Sequence, residues 1–264
     1  MSWLGGAWTG IEAFWGAFGQ TSRSETASQR TVALVGAGRI PSRWVVRVPL
    51  RNLINPRKAL IFRIVHRDNV AWHLANGLHC SSSATKNPAY VGIGNQDLIS
   101  KRETREIPVP PGGTLGDFIP FYFTPCSPML LNILTGRGGV QKRAKDEIVI
   151  LVSSLPKLTE YRVRYLFTNC HAYLDMADFS ADPQDLAEWI PWRKLHSRDF
   201  RRDPYDPVPF ERYQAEALAH RQVPIDALIG LACYDESVKS DLEALCGARK
   251  LELSVRVRED WYFA

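Results

Sequence analysis

The segment IPVPPGG at residues 107–113 constrains the fold more than any other stretch of the chain. Three prolines and two glycines in seven residues remove backbone donors and fix dihedrals. The stretch is therefore a rigid turn that can be neither helix nor central strand. Its neighbours follow from it. FIPFYFT (118–124) reads as a strand. Ser127-Pro128 reads as the start of a helix, with serine as N-cap and proline at the first helical position, and Gly136 ends that helix.

The same punctuation organises the rest. ALIFRIVH (59–66), EIVILVSS (147–154), VRYLFT (163–168), ALIGLACY (227–234) and LELSVRVRE (251–259) read as strands. Asn69–Asn76, closed by Gly77, DPQDLAEW (182–189) and ESVKSDLEALCGARK (236–250) read as helices. RYQAEALAH (212–220) fits either state. Residues 78–105 are polar and irregular and read as one long loop of the kind that carries function. Strands and short helices alternate without regular βαβ spacing, which points to an α+β fold.

Several function classes drop out. No uninterrupted apolar stretch reaches about 18 residues, so no membrane-spanning helix is expected. The five cysteines are widely spaced, with no C-x-x-C pair. They suggest neither a disulfide framework nor a zinc ribbon, and they fit a reducing cytoplasm. His79-Cys80 reads as packing, and no metal is expected. Neither a P-loop, a Ser-His-Asp signature nor an H-E-x-x-H motif occurs.

Residues 1–55 differ from the remainder. They hold six arginines against two glutamates, a net of +4, which leaves +1 of the chain's +5 for residues 56–264. They read as an N-terminal extension, either disordered or the product of a start assigned too far upstream. GAGRIP (36–41) lacks the third glycine of a dinucleotide loop and has Pro41 in its place. With the body nearly neutral, nucleic-acid binding would need a local patch.

The chemistry-bearing residues are scattered. Gln214-Ala215-Glu216, if in a strand, sets Gln214 and Glu216 on one face. A carboxylate there can grip a ribose diol and stabilise the cation formed when a C–N glycosidic bond breaks; an exposed helical glutamate is the structural alternative. Arg63 and His66 lie on or beside the first strand, where they could hold a diphosphate and a ribose, and His66 could equally be a cap. Lys101, Arg102 and Arg105 form a basic cluster. Arg193, Lys194, Arg198, Arg201 and Arg202 form a second, either a phosphate track or a solvated face.

Read in order, FRIVHRDNVAWHLANGL, KRETREIPVPPGGTLGDFIPFYFTPCSPML, EIVILVSS, FTNCHAY, RYQAEALAHR and REDWYF resemble the DarT family of DNA ADP-ribosyltransferase toxins, over roughly residues 56–263. The resemblance implies an ADP-ribosyltransferase-like split mixed β-sheet with short flanking helices and NAD in the cleft. It implies transfer of ADP-ribose to a thymidine or guanosine of single-stranded DNA, and a cognate antitoxin as partner. Glu216 falls on the family's catalytic glutamate. Arg102 falls on its catalytic arginine, implicated in NAD binding and in helping deprotonate the target base. NAD contacts fall on Arg63, Ile64, Val65, His66 and Arg102, and DNA contacts are expected at Arg198, Arg201 and Arg202. The family's first strand often reads Y-H-I-T-H; here Arg63 and Val65 replace its first histidine and its threonine. Where relatives commonly have F-T-D-R-H, this chain has Asn169 and Cys170 before His171, which removes a charge pair. That departure favours the alternative of a non-catalytic nucleic-acid-binding relative. Another alternative is a transferase acting on RNA or protein.

Overall fold

The computed structural model describes residues 50–263; GAGRIP and the rest of residues 1–49 lie outside them. A short helix, α1 (Leu50–Leu53), opens the described chain. Leu53 and Ile54 are 1% and 0% exposed. The Ile54 carbonyl accepts a hydrogen bond from His196 Nε2 at 2.8 Å. Residues 50–55 thus pack as part of the body.

Strand β1 (Leu60–His66) passes directly into α2 (Arg67–Asn76). The helix starts two residues before the expected Asn69 because His66 caps it: His66 Nδ1 accepts from the Asp68 N–H at 3.2 Å. Gly77 closes it at φ +79°, where an added Cβ would stand 2.7 Å from the Val223 carbonyl. β2 (Leu78–His79) follows. The stretch expected as one loop then contains α3 (Gln96–Glu103), capped by Asn95, whose Oδ1 accepts from Leu98 N–H. None of its residues is buried, so it has no apolar stripe for periodicity to reveal.

β3 (Phe118–Tyr122) and α4 (Pro128–Thr135) follow, the helix with Ser127 as N-cap and Gly136 left-handed at its end, as expected. β4 (Ile148–Ser154), α5 (Leu155–Glu160), β5 (Tyr165–Thr168), β6 (Phe179–Ser180), α6 (Leu186–Trp189), α7 (Trp192–Ser197) and α8 (Val208–Tyr213) come next. The ambiguous 212–220 segment divides. Its first part ends α8 and its second is β7 (Glu216–His220). Gln214 therefore does not share a strand face with Glu216; it terminates α8 and bonds back to Glu211 at 3.0 Å. β8 (Gln222–Val223), β9 (Gly230–Cys233), α9 (Glu236–Ala248) and β10 (Ser254–Val257) complete the chain.

Eight strands form one mixed sheet in the order β10-β9-β4-β1-β3-β7-β5-β6, and β2 pairs with β8 separately. The β10–β9 pair is parallel and the other pairs are antiparallel. Every residue of β4 is buried, as a central strand covered on both faces must be. β1 pairs with β4 along its whole length, Leu60↔Ser154 to His66↔Ile148. With β3 it shares a single register pair, Phe62↔Tyr122. The sheet is thus split: its halves join at that pair, where the Trp261 ring packs edge-on against Phe62 at 5.3 Å, and separate beyond it. Arg63 reaches into the gap and donates through Nη1 to the Pro120 carbonyl at 2.9 Å.

Candidate active site

Tyr122 stands opposite Glu216 in the β3–β7 register as well as opposite Phe62. Glu216 is the first residue of β7 and is 1% exposed. Its backbone is fixed by Thr168, whose hydroxyl accepts from Glu216 N–H at 3.1 Å and donates to the Cys170 carbonyl at 2.6 Å. Its carboxylate receives two bonds from Arg102, in the last turn of α3: Nη1 to Oε1 at 2.9 Å and Nη2 to Oε2 at 2.7 Å. Ala172 N–H adds a third at 3.2 Å, and His171 Nδ1 lies 3.9 Å away. This is the fork-to-fork geometry of a strong buried pair.

Burial pushes the Glu216 carboxyl up, but Arg102, His171 and the Ala172 N–H together outweigh it, and the group is held below the ordinary carboxylate value. Burial likewise opposes the Arg102 cation and Glu216 overrides it. Burial lowers His171, with Glu216 pulling the other way. The site therefore holds an ionised carboxylate and a permanent cation.

A cavity of about 330 Å³ occupies the split. Its walls include Arg63 from β1, Phe118, Ile119 and Pro120 from β3, Trp72 and His73 from α2, and Arg102 from α3. It is largely apolar with a few convergent polar groups, the usual character of a small-molecule site. A dinucleotide with two phosphates suits it: the arginines supply positive charge and the apolar walls supply surface for flat rings. Among the described residues no group of three or more metal-ligating side chains occurs, all five cysteines are free, and no helix is long and apolar enough to cross a membrane.

The expected site residues fall into three groups. Arg63 and Arg102 line the cavity, and Glu216 lies buried behind Arg102, to which it is paired, without lining it. Ile64 and Val65 are buried in β1 beside it, while His66 caps α2 and faces Glu147 at 3.4 Å without lining it. Arg193, Arg201 and Arg202 of the basic run are exposed, and Lys194 is half-buried. Arg198 is half-buried at the end of α7, Arg201 pairs with Asp199 at 3.0 Å, and Arg202 lies over the Phe210 ring at 4.4 Å. Sequence reasoning gave no site role to Thr168, Ala172, Tyr122 or His73; Thr168 and Ala172 were visible only as part of FTNCHAY.

Asn169 also acquires a physical reason. Its amide donates to Asp178 Oδ2 at 2.8 Å, and its oxygen accepts from Asp178 N–H at 3.1 Å. The clasp closes the loop that carries His171 and Ala172, and Arg105 ties the tip through Leu174 and Asp175. An aspartate at 169 would face a like charge.

A split mixed sheet with a buried arginine–glutamate pair beside its cleft defines an ADP-ribosyltransferase-type protein. The chain belongs to the DarT family: the family model described as "ssDNA thymidine ADP-ribosyltransferase, DarT" matches residues 62–263. A DNA ADP-ribosyl transferase of Escherichia coli O127:H6 is 50% identical over 211 residues, 80% of this chain and 96% of that one. The structure of Thermus sp. 2.9 DarT in complex with ADP-ribosylated ssDNA superposes with a TM-score of 0.67 at 25% identity, over 80% of this chain and 99% of that one. The structure of the same protein in complex with NAD+ gives 0.66 at 26%, over 78% and 98%.

Proposed function

We propose that the chain binds NAD in the cavity between β1 and β3 and transfers ADP-ribose from it to a thymidine or guanosine of single-stranded DNA. The observation that carries this reading is the buried Arg102–Glu216 pair beside a cavity of suitable size. In the reaction the bond from ribose C1′ to nicotinamide breaks, and nicotinamide leaves with the electron pair as a neutral molecule. A nitrogen of the base forms the new bond to that carbon, and the proton it carried passes to solvent. Glu216, kept ionised, opposes the positive charge that builds on the ribose. Arg102 helps by charge: a guanidinium beside the phosphates or the base favours their anionic forms. Arg63 and the β1 backbone at Ile64 and Val65 hold the dinucleotide.

The DNA is read as single-stranded because an unpaired base avoids the few kcal/mol needed to extract one from a duplex. The Asn169–Asp178 clasp supports an active enzyme over a non-catalytic relative, since the departure from F-T-D-R-H has a positive structural use. On family resemblance the protein is the toxin of a pair, with a cognate antitoxin as partner, acting in the cytoplasm. The test is mass spectrometry of single-stranded DNA, RNA and protein incubated with the protein and NAD. One added ADP-ribose on a DNA base is expected. Label on RNA or protein alone, or none, would overturn the reading.

A further inference from the structure

Thr85, Lys86, Asn87 and Tyr90 line the cavity, and all four lie in the strap between β2 and α3, which has neither helix nor strand. Backbone without a ladder must be held by other means. The first end of the strap is tied to the turn at 115–117: Ser82 N–H and the Ser81 hydroxyl both donate to the Gly116 carbonyl at 3.1 Å, and the Ser82 hydroxyl donates to Asp117 Oδ1 at 2.7 Å. Ile93, 7% exposed, seats the other end. Between Lys86 and Ile93, the hydrogen bonds that leave the strap all end, among the described residues, on the side chain of Asn69.

Asn69 lies in the first turn of α2 and is 0% exposed. Its NH2 donates to the Val91 carbonyl at 2.8 Å, and its oxygen accepts from the Val91 N–H at 2.9 Å. Asn87, a wall residue, donates to the same oxygen at 3.5 Å. A buried carboxamide that takes both the donor and the acceptor of one residue copies a strand partner. It fixes the direction of that backbone as well as its place. Ile93 fixes only the place, because apolar burial has no direction. Asn69 shares a face of α2 with Trp72 and His73, three and four residues on, and those two line the cavity. One helix face thus supplies two rings to the cavity and the clasp for another of its walls.

Resting on the reading of the cavity as the NAD site, we infer that Asn69 is a positioning residue for NAD: buried and outside the cavity lining, it acts through the backbone of Val91 to hold the wall at Asn87 and Tyr90 in its binding shape. Cutting the clasp lets Val91 turn its polar groups to water, since Ala89, Tyr90 and Gly92 beside it are already exposed. The loss then falls on the order of the wall, and NAD must bear the cost of ordering it. Arg102 keeps its own two bonds to Glu216, so the chemical step is spared.

The test is steady-state transfer with NAD varied at saturating single-stranded DNA. Asn69→Ala should raise KM for NAD about tenfold, the equivalent of one or two hydrogen bonds, and change kcat less than about twofold. Val91→Pro removes the N–H on the strap side and leaves α2 untouched; it should raise KM in the same direction, and it stands alone if Asn69→Ala does not fold. The double variant should match Asn69→Ala, because both changes cut one link. Amide exchange separates this from general loosening: the Val91 N–H should be slow in the wild type and fast in Asn69→Ala, with the β4 amides slow in both. An unchanged KM in either folded variant, a loss carried by kcat, or KM increases that multiply in the double variant overturns the inference while leaving the NAD site intact. Failure of the wild-type protein to bind NAD at all would instead remove the underlying reading.

Discussion

Arg102 and Glu216, 114 residues apart in sequence, meet as a two-point ion pair from which water is nearly excluded. Removing either partner strands the other in a low-dielectric site, at a cost of about 3–5 kcal/mol. Arg102→Ala is expected to lower the melting temperature and abolish transfer. Glu216→Gln keeps the shape and some of the bonds, so it should stay folded while transfer falls at least ~100-fold, the usual size for a lost charge-stabilising group. Thermal unfolding beside a nicotinamide-release assay checks both, and a fully active Glu216→Gln protein would remove the catalytic assignment.

Acid should act late. Burial raises the Glu216 carboxyl, yet Arg102 and its companions hold it below the ordinary 4.5. A depressed carboxyl contributes stability that is complete above the unfolded value and is lost as pH falls through the folded value. Activity should therefore persist down to about pH 5 as far as this group is concerned, with its acid limb below about 4.5. Rate and melting temperature measured across a pH series decide it. A Glu216-dependent limb, absent from Glu216→Gln, that appears above pH 5 would contradict the assignment.

The clasp predicts a compensating pair. Asn169→Asp opposes two carboxylates and removes a hydrogen bond worth about 1 kcal/mol. Transfer should fall roughly fivefold as the Ala172 N–H loosens from Glu216. Asp178→Asn in the same chain should restore most of it, since one amide and one carboxylate again face each other. Rates for the wild type, both single variants and the double variant form the test; strictly additive losses would show that the two residues act separately.

Truncation should be sharply position-dependent. Deleting residues 1–49 is expected to preserve catalysis, because the family match begins at Phe62. Deleting residues 1–55 removes Leu53 and Ile54 from their buried seats and the carbonyl that His196 uses. That should cost about 2–5 kcal/mol, the range for emptying one large aliphatic site. Denaturant midpoints of the two truncated chains should differ; equal midpoints would show that α1 contributes nothing.

Salt dependence should be shallow. Asp199, Asp203 and Asp206 interleave with Arg198, Arg201 and Arg202, so this stretch is close to neutral. Each phosphate neutralised on a single strand contributes about −0.7 to the slope of log affinity against log salt. Charge reversal at Arg193 or Lys194 should change the slope by about 0.7 or more, whereas Arg201→Ala should change it less, because it releases Asp199. A salt series on one oligonucleotide, alone and annealed to its complement, measures this and tests strand preference together.

Much of this was legible in the sequence because it was local. Caps such as Ser127 and turns such as IPVPPGG act over a few residues, and β4 announces itself by the apolar run IVILV at 148–152. What stayed hidden was long-range or lacked a period. Helix α3, which carries Arg102, has no buried face and so no apolar period that the sequence could show. The start of β7 at Glu216 is fixed by the Thr168 hydroxyl, 48 residues upstream. The charge of residues 198–206 is cancelled by the aspartates between the arginines, which a pattern of basic residues alone does not show.

Beyond Phe62 one edge of β1 has no strand beside it, and that edge runs through Arg63, Ile64 and Val65. The peptide groups there are the same in every amino acid. A cosubstrate that pairs with them is held by atoms that codon changes cannot remove, which would let side chains at 63 and 65 drift without forfeiting it. Amide hydrogen exchange supplies the readout: the β1 amides should slow when NAD is added, and they should do so equally in a Val65→Thr chain.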